Sequence, residues 1–220
     1  MIVLGLTGSI GMGKSTAAAM LRRLGVPVHD ADAAVHRLTG PGGGAVEAVG
    51  RLFPSAIVDD ARGRHVDRTR LGPIVFADPA ARRRLEGVLH PLVREDARRF
   101  VARHRRAGTS VVVLDIPLLY ETGGERRVDA VVVVSAAPEV QARRVLARPG
   151  MTAERLEAIR RIQVPESVKR RRADYVVETG MGKHYTWCAL ARLVRALRAD
   201  PRAAGRRHAR NRRRYRNHRA

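Results

Sequence analysis

The sequence predicts an α/β protein of three layers, with helices on both faces of a parallel sheet. Three observations carry that expectation. Short apolar, β-branched runs recur along the chain, each bounded by Gly, Pro, polar or charged residues. Stretches with helical spacing separate them, which is the alternation of parallel strands and crossover helices. The first run, Ile2-Val3-Leu4-Gly5-Leu6, leads into Gly8-Ser9-Ile10-Gly11-Met12-Gly13-Lys14-Ser15 and then into the helical stretch from Ser15 to Leu24. Strand, glycine loop and helix in that order are the setting of a phosphate-binding P-loop.

That loop places the fold among the P-loop NTPases. Its glycines let backbone N–H groups close around phosphate oxygens, and the helix N-terminus adds partial positive charge. Lys14 is expected to reach the β- and γ-phosphates and the Ser15 hydroxyl to hold Mg2+. The plain alternative is a glycine-rich turn with a chance lysine. Composition argues against it, since Lys14, Lys169 and Lys183 are the only lysines among 43 basic residues.

The remaining elements follow in order. Val26–His29 reads as a second strand, and Asp30-Ala31-Asp32 comes directly after it. Residues 32–108 interrupt the alternation with a helix-rich insertion, read as a cap that binds the second substrate. Within it Asp78 suits an N-cap and Pro79 a first helical turn, while His90-Pro91 predicts a break or kink. Val111–Leu114 and Ala130–Val134 are strands apolar enough to be buried on both faces. Residues 138–173 hold a second helical excursion, rich in arginine, which reads as a lid. Thr152 is expected to cap a helix there, with Glu154 near its positive end. Tyr175–Val177 is a weaker last strand, and His184 to Ala199 a packed helix. The core therefore comprises 1–31, 109–137 and 174–200. Residues 201–220 read as a basic, disordered tail.

Several side chains carry chemistry. In an open parallel sheet the carboxyl ends of strands face the ligand crevice. An aspartate there can accept the proton of an attacking hydroxyl, or it can simply cap a helix. Asp32 is favoured as the base and Asp30 as a holder of metal-bound water. Asp115 ends an apolar strand, like the second Mg2+-binding element of P-loop proteins, and leads into Ile116-Pro117-Leu118-Leu119-Tyr120-Glu121. Arg143 and Arg148 lie on the lid, where planar guanidinium groups bind phosphate bidentately. The alternative for each arginine is a solvated basic helix face.

The net charge is +22, with nine arginines and no acid in residues 202–220. A basic surface fits a polyanionic substrate, and the tail adds weak, non-specific attraction for nucleic acid. Tyr215 alone is too little aromatic interleaving for a reader of single strands. The single Cys188 excludes an internal disulfide and predicts a cytoplasmic setting. No signal peptide is read at the N-terminus, and no apolar run is long enough for a membrane span.

Together these motifs resemble the dephospho-CoA kinase family. Leu6 to Ser15 resembles its opening, and Asp30-Ala31-Asp32 follows the second strand as it does there. Val75-Phe76, Leu85-Glu86, Leu89-His90-Pro91, Asp115-Ile116-Pro117-Leu118-Leu119-Tyr120-Glu121, Gln141-x-Arg143 to Arg148, Gln163, Lys169 and Ala173-Asp174-Tyr175 continue the series. The resemblance spans roughly residues 1–180. It implies transfer of the γ-phosphoryl of ATP to the 3′-hydroxyl of dephospho-CoA, with the insertion binding CoA and Mg2+ accompanying ATP. It also implies that Gly11, Met12, Gly13, Lys14, Ser15, Thr16 and Arg148 bind ATP. Asp32, Lys14 and Arg143 are then catalytic, and Asp32, His90, Asp115, Pro117 and Leu118 face the acceptor. Asp30 or Asp115 would hold water on an ion bound by Ser15. Met12 departs from the family's small residue, so its side chain is expected to point away from the phosphates. Residues 181–220 match no motif of the family. A small-molecule kinase with another acceptor and a nucleic-acid-binding ATPase are the alternatives.

Overall fold

The computed structural model describes residues 1–200 together with Gly205, Arg207, His208 and Asn211. Two compact units emerge, Met1–His29 with His104–Ala220, and Asp30–Arg103.

The first unit is built on a five-stranded sheet in the order β2-β5-β1-β6-β7. Its strands are β1 (Ile2–Thr7), β2 (Val28–Asp30), β5 (Val111–Asp115), β6 (Ala130–Ser135) and β7 (Tyr175–Glu178). β1 runs parallel to β5 on one side and to β6 on the other, and β6 runs parallel to β7. The central strands β1, β5 and β6 are buried along their whole length, as their continuous apolar runs require. One face packs Ile2, Leu4, Leu6, Val113, Val132 and Val134 against α1 (Lys14–Arg23) and α9 (Lys183–Ala199). On the other face Gly5 leaves room for Leu119 and Val128, whose side chains would stand 3.0 and 3.3 Å from a Cβ placed there. Helices α6 (Pro138–Leu146), α7 (Ala153–Ile162) and α8 (Glu166–Arg172) lie between β6 and β7 in the chain.

The second unit contains α2 (Ala31–Thr39), α3 (Val46–Leu52), a hairpin of β3 (Ile57–Asp60) and β4 (Gly63–Val66), α4 (Arg68–Ala77) and most of α5 (Pro79–Arg106). It has its own core of Ala45, Val46, Val49, Phe53, Ala56, Val66, Leu71 and Ala81. Asp78 caps α5 as expected, accepting from the Ala80 N–H at 2.7 Å.

Three expectations need correction. His90-Pro91 does not interrupt α5, which runs unbroken from Pro79 to Arg106. Pro91 and Gly87 are both exposed, so water can satisfy the Gly87 carbonyl that loses its N–H partner. The antiparallel hairpin β3–β4 was absent from the helix-rich reading. The tail is not uniformly disordered: Gly205, Arg207, His208 and Asn211 are helical, and His208 is buried. Its Nδ1 lies 2.7 Å from Asp174 Oδ2, and Asn211 donates to Asp174 Oδ1 at 2.9 Å. The other positions of 201–220 lie outside the described residues.

Candidate active site

The site begins where β1 ends. Gly8 must be glycine, because a Cβ there would stand 2.6 Å from Val134 Cγ2 and 2.8 Å from the Val134 carbonyl. Gly11 and Gly13 have φ of 76° and 83°, in the left-handed region open to glycine. Gly13 is also the N-cap of α1, so the loop turns straight into the helix. Ser15 and Thr16 stand exposed on the first turn. The N–H groups there have no helical acceptor and are free to meet an anion.

Met12 points as the resemblance implied. Its side chain is buried in the main core, and Sδ accepts from the Ala136 N–H at 3.2 Å. The backbone of the loop is fixed from behind by Thr179, whose hydroxyl donates to the Met12 carbonyl at 2.8 Å. Arg144 reinforces this, donating to Thr179 Oγ1 at 3.0 Å and to the Thr179 carbonyl at 2.7 Å.

Lys14 and Asp115 meet across the ends of β1 and β5. Nζ lies 2.7 Å from Oδ1, and the carboxylate is only 3% exposed. The register Leu6↔Asp115 puts the acid beside the strand that feeds the loop. Thr7 donates to the Pro117 carbonyl at 2.9 Å, which ties the following loop to the same strand end. Leu118 is exposed and Pro117 half-buried.

The P-loop is also gripped by the helices between β6 and β7. Gln141 donates to the Ile10 carbonyl at 2.8 Å, and Gln163 accepts from the Ile10 N–H at 3.1 Å. Arg160 orients Gln141 by donating to its Oε1 at 2.7 Å. Ser9 donates to Glu166 Oε2 at 2.7 Å. A Cβ on Gly11 would stand 2.5 Å from Val145 Cγ2, so α6 presses directly on the loop.

The other expected residues are distributed as follows. Arg143 and Arg148 are exposed, while Arg144 makes the contact with the P-loop. Sequence reasoning gave Arg144 no role. The available signal was spacing: Gln141, Arg144 and Val145 share one helical face, and Gln141 and Val145 are buried. Thr179 also went unnoticed. In the second unit Asp30 caps α2, accepting from the Ala33 N–H at 3.0 Å, and Asp32 is exposed on the first turn of that helix. His90 is half-buried on α5. Burial raises the Tyr120 phenol far above its usual value, and the Arg172 guanidinium stacks 4.3 Å from its ring centre. Tyr120 therefore stays neutral.

Among the described residues no group of three His, Cys, Asp or Glu side chains is placed to hold a metal by itself. That donor set still fits Mg2+ carried by a nucleotide, which takes few protein ligands and keeps phosphate oxygens and water. The exposed Ser15 hydroxyl, on the first turn of α1, and the buried Asp115 carboxylate, at the end of β5, are of the right chemistry, and Lys14 beside Ser15 reaches Asp115.

Residues 2–183 match the family model for dephospho-CoA kinase. A dephospho-CoA kinase of Mesorhizobium japonicum is 56% identical over 200 residues, covering 91% of this chain and 98% of its own. That of Paramagnetospirillum magneticum is 64% identical over 170 residues, covering 77% and 78%. A crystal structure from Thermus thermophilus superposes with a TM-score of 0.74 at 40% identity, covering 89% of this chain and 96% of that one.

Proposed function

The chain belongs to the dephospho-CoA kinase family, and from that premise we propose how its residues divide the work. The reaction is ATP-dependent phosphorylation of the 3′-hydroxyl of dephospho-CoA, giving CoA and ADP, the last step of coenzyme A synthesis. The observation that carries the residue-level reading is the Lys14–Asp115 pair at the mouth of the glycine loop. It supports reading Lys14 as the cation for the β- and γ-phosphates, beside an acid that ends the neighbouring strand.

Phosphoryl transfer asks for positioning and charge neutralisation more than for covalent chemistry. Gly11 to Thr16 cradle the phosphates through backbone N–H groups and the α1 N-terminus. Lys14 exchanges Asp115 for the γ-phosphoryl oxygens when ATP arrives. Ser15 and Asp115 are the residues that would hold Mg2+ brought in with ATP, and the ion would supply charge neutralisation for the phosphates. Asp32 orients the 3′-hydroxyl and takes its proton, and Asp30 keeps the start of α2 in place as its cap. Residues 32–108 bind the acceptor, with His90 and the Asp115-x-Pro117-Leu118 segment on its side. Residues 138–173 form a lid that brings Arg143 and Arg148 to the triphosphate. Closure excludes water and limits wasteful hydrolysis.

Asp32→Asn tests the assignment of the base. The expected result is a fall in kcat of about a hundredfold or more with KM for dephospho-CoA nearly unchanged. If Asp30→Asn gives that pattern and Asp32→Asn does not, the base is Asp30. A cytoplasmic setting agrees with the lone thiol of Cys188. The nine arginines of residues 202–220 confer weak, salt-sensitive attraction for nucleic acid. Retention on DNA-cellulose that survives their deletion counts against this.

A further inference from the structure

Lys169 is completely buried, and its ammonium lies 2.9 Å from Glu121 Oε1. The same oxygen accepts from the Val164 N–H at 2.8 Å. Stability alone does not account for such a pair, because a buried ion pair roughly breaks even against apolar side chains of its size. Its position is more telling. Val164 lies in the joint Gln163–Pro165, between α7 and α8. Gln163 on one side of it holds Ile10, and Glu166 on the other holds Ser9.

The two helices that meet at this joint are secured differently. α8 is bound to the sheet region by Lys169 on Glu121, by Arg170 on Glu178 and Ser135, and by Arg172 on Glu125 at 2.6 Å. α7 is held by Arg160 on Gln141 and by the buried Leu156. Glu121 itself ends the segment that starts at Asp115, the partner of Lys14.

We propose that Glu121, locked by Lys169, is a positioning residue that pins the α7–α8 joint through the Val164 N–H. α7 then swings over the triphosphate about a fixed point while α8 stays with the sheet. The joint in turn sets Ser9 and Ile10 of the P-loop. Because Asp115 and Glu121 share one short segment, the acceptor side and the joint are mechanically coupled. The proposal rests on the reading of a lid within residues 138–173 and narrows its moving part to α7.

Two double variants isolate the hydrogen bond from the charge. Both Glu121→Gln with Lys169→Met and Glu121→Leu with Lys169→Met remove the buried ions. Only the first keeps an oxygen facing Val164. Both should melt within a few degrees of the parent. The Gln pair should recover kcat to within about threefold of the parent. The Leu pair should lose about tenfold or more in kcat, with KM for ATP moved by less than about threefold. It should also hydrolyse ATP without dephospho-CoA as a larger share of its turnover. Parent-like kcat and hydrolysis share in both would overturn the proposal and leave the pair structural. Equal losses in both would overturn it in favour of the charge itself.

Amide hydrogen exchange on the unsubstituted protein covers the case in which the Leu pair does not fold. The Val164 amide should exchange slowly and stay slow on adding Mg-ATP and dephospho-CoA, while amides 154–162 slow only then. A Val164 amide exchanging as fast as those of α7 overturns the proposal. Amides of α7 that ignore both substrates would instead remove the lid reading, a readout separate from that of the double variants.

Discussion

Met12 sits between two glycines of the phosphate loop, where a long side chain would block the ligand if it faced outward. It faces inward instead, and its sulfur takes the Ala136 N–H. The residue thus links the loop to the end of β6 by both packing and a polar contact. Met12→Leu keeps the volume but leaves that buried N–H without an acceptor, at a cost of about 1 kcal/mol. The expected outcome is a drop in Tm of about 2–4 °C by calorimetry, and an unchanged Tm would show that the sulfur contributes nothing beyond bulk. Lys14 makes a stronger case. Lys14→Met removes the cation for the phosphates and the partner of a carboxylate that is 3% exposed. Turnover should fall by about a hundredfold or more. Asp115→Asn in the same chain should recover stability but not turnover, since it relieves the buried charge and restores no cation. Recovery of turnover would place Lys14 outside the chemistry.

The elements differ in how plainly the sequence announced them. β1, β5 and β6 were legible because burial on both faces leaves only apolar residues up to their last positions, and the register then sets Asp115 beside Leu6. The hairpin β3–β4 was not, because all its residues but Val66 are half-buried or exposed and Asp59, Asp60, Arg64 and His65 break the alternation. Pro91 misled for the opposite reason: a local rule against proline in helices was overridden by an exposed face. Among site residues, the glycines and Lys14 were legible because the loop's chemistry permits few alternatives. Arg144 was hidden among 43 basic residues, and only the fold distinguishes it from Arg143. The contact of α6 with the P-loop supplies a further prediction. Gly11→Ala must place a Cβ 2.5 Å from Val145 Cγ2 at a φ of 76°. The left-handed backbone alone costs about 1–2 kcal/mol. ATP binding should weaken, measured by calorimetric titration, and Val145→Ala in the same chain should recover only the part due to the clash.

At the scale of the whole molecule the question is charge and what restrains it. The chain carries +22, and a basic protein that handles two polyanions gains in encounter rate what it loses in self-repulsion. Its C-terminal segment adds nine of those charges and yet contributes specific contacts to the first unit. His208 and Asn211 bring their side chains to Asp174, a residue 2% exposed that also accepts from the Val131 N–H at 2.8 Å. Arg207 stacks 4.9 Å from the Tyr175 ring centre. Arg207, His208 and Asn211 therefore lie against the start of β7, next to α8. Deleting residues 201–220 takes two hydrogen-bonding partners from a buried carboxylate, a loss of about 1–3 kcal/mol. Tm should fall by about 2–12 °C while kcat at 25 °C holds, because Asp174 lies at the far end of α8 from the P-loop contacts. His208→Ala with Asn211→Ala in the full-length chain should reproduce the loss of Tm and keep the full arginine charge. If the deletion lowers Tm and the double variant does not, the stabilisation comes from the remainder of the segment and not from the partners of Asp174.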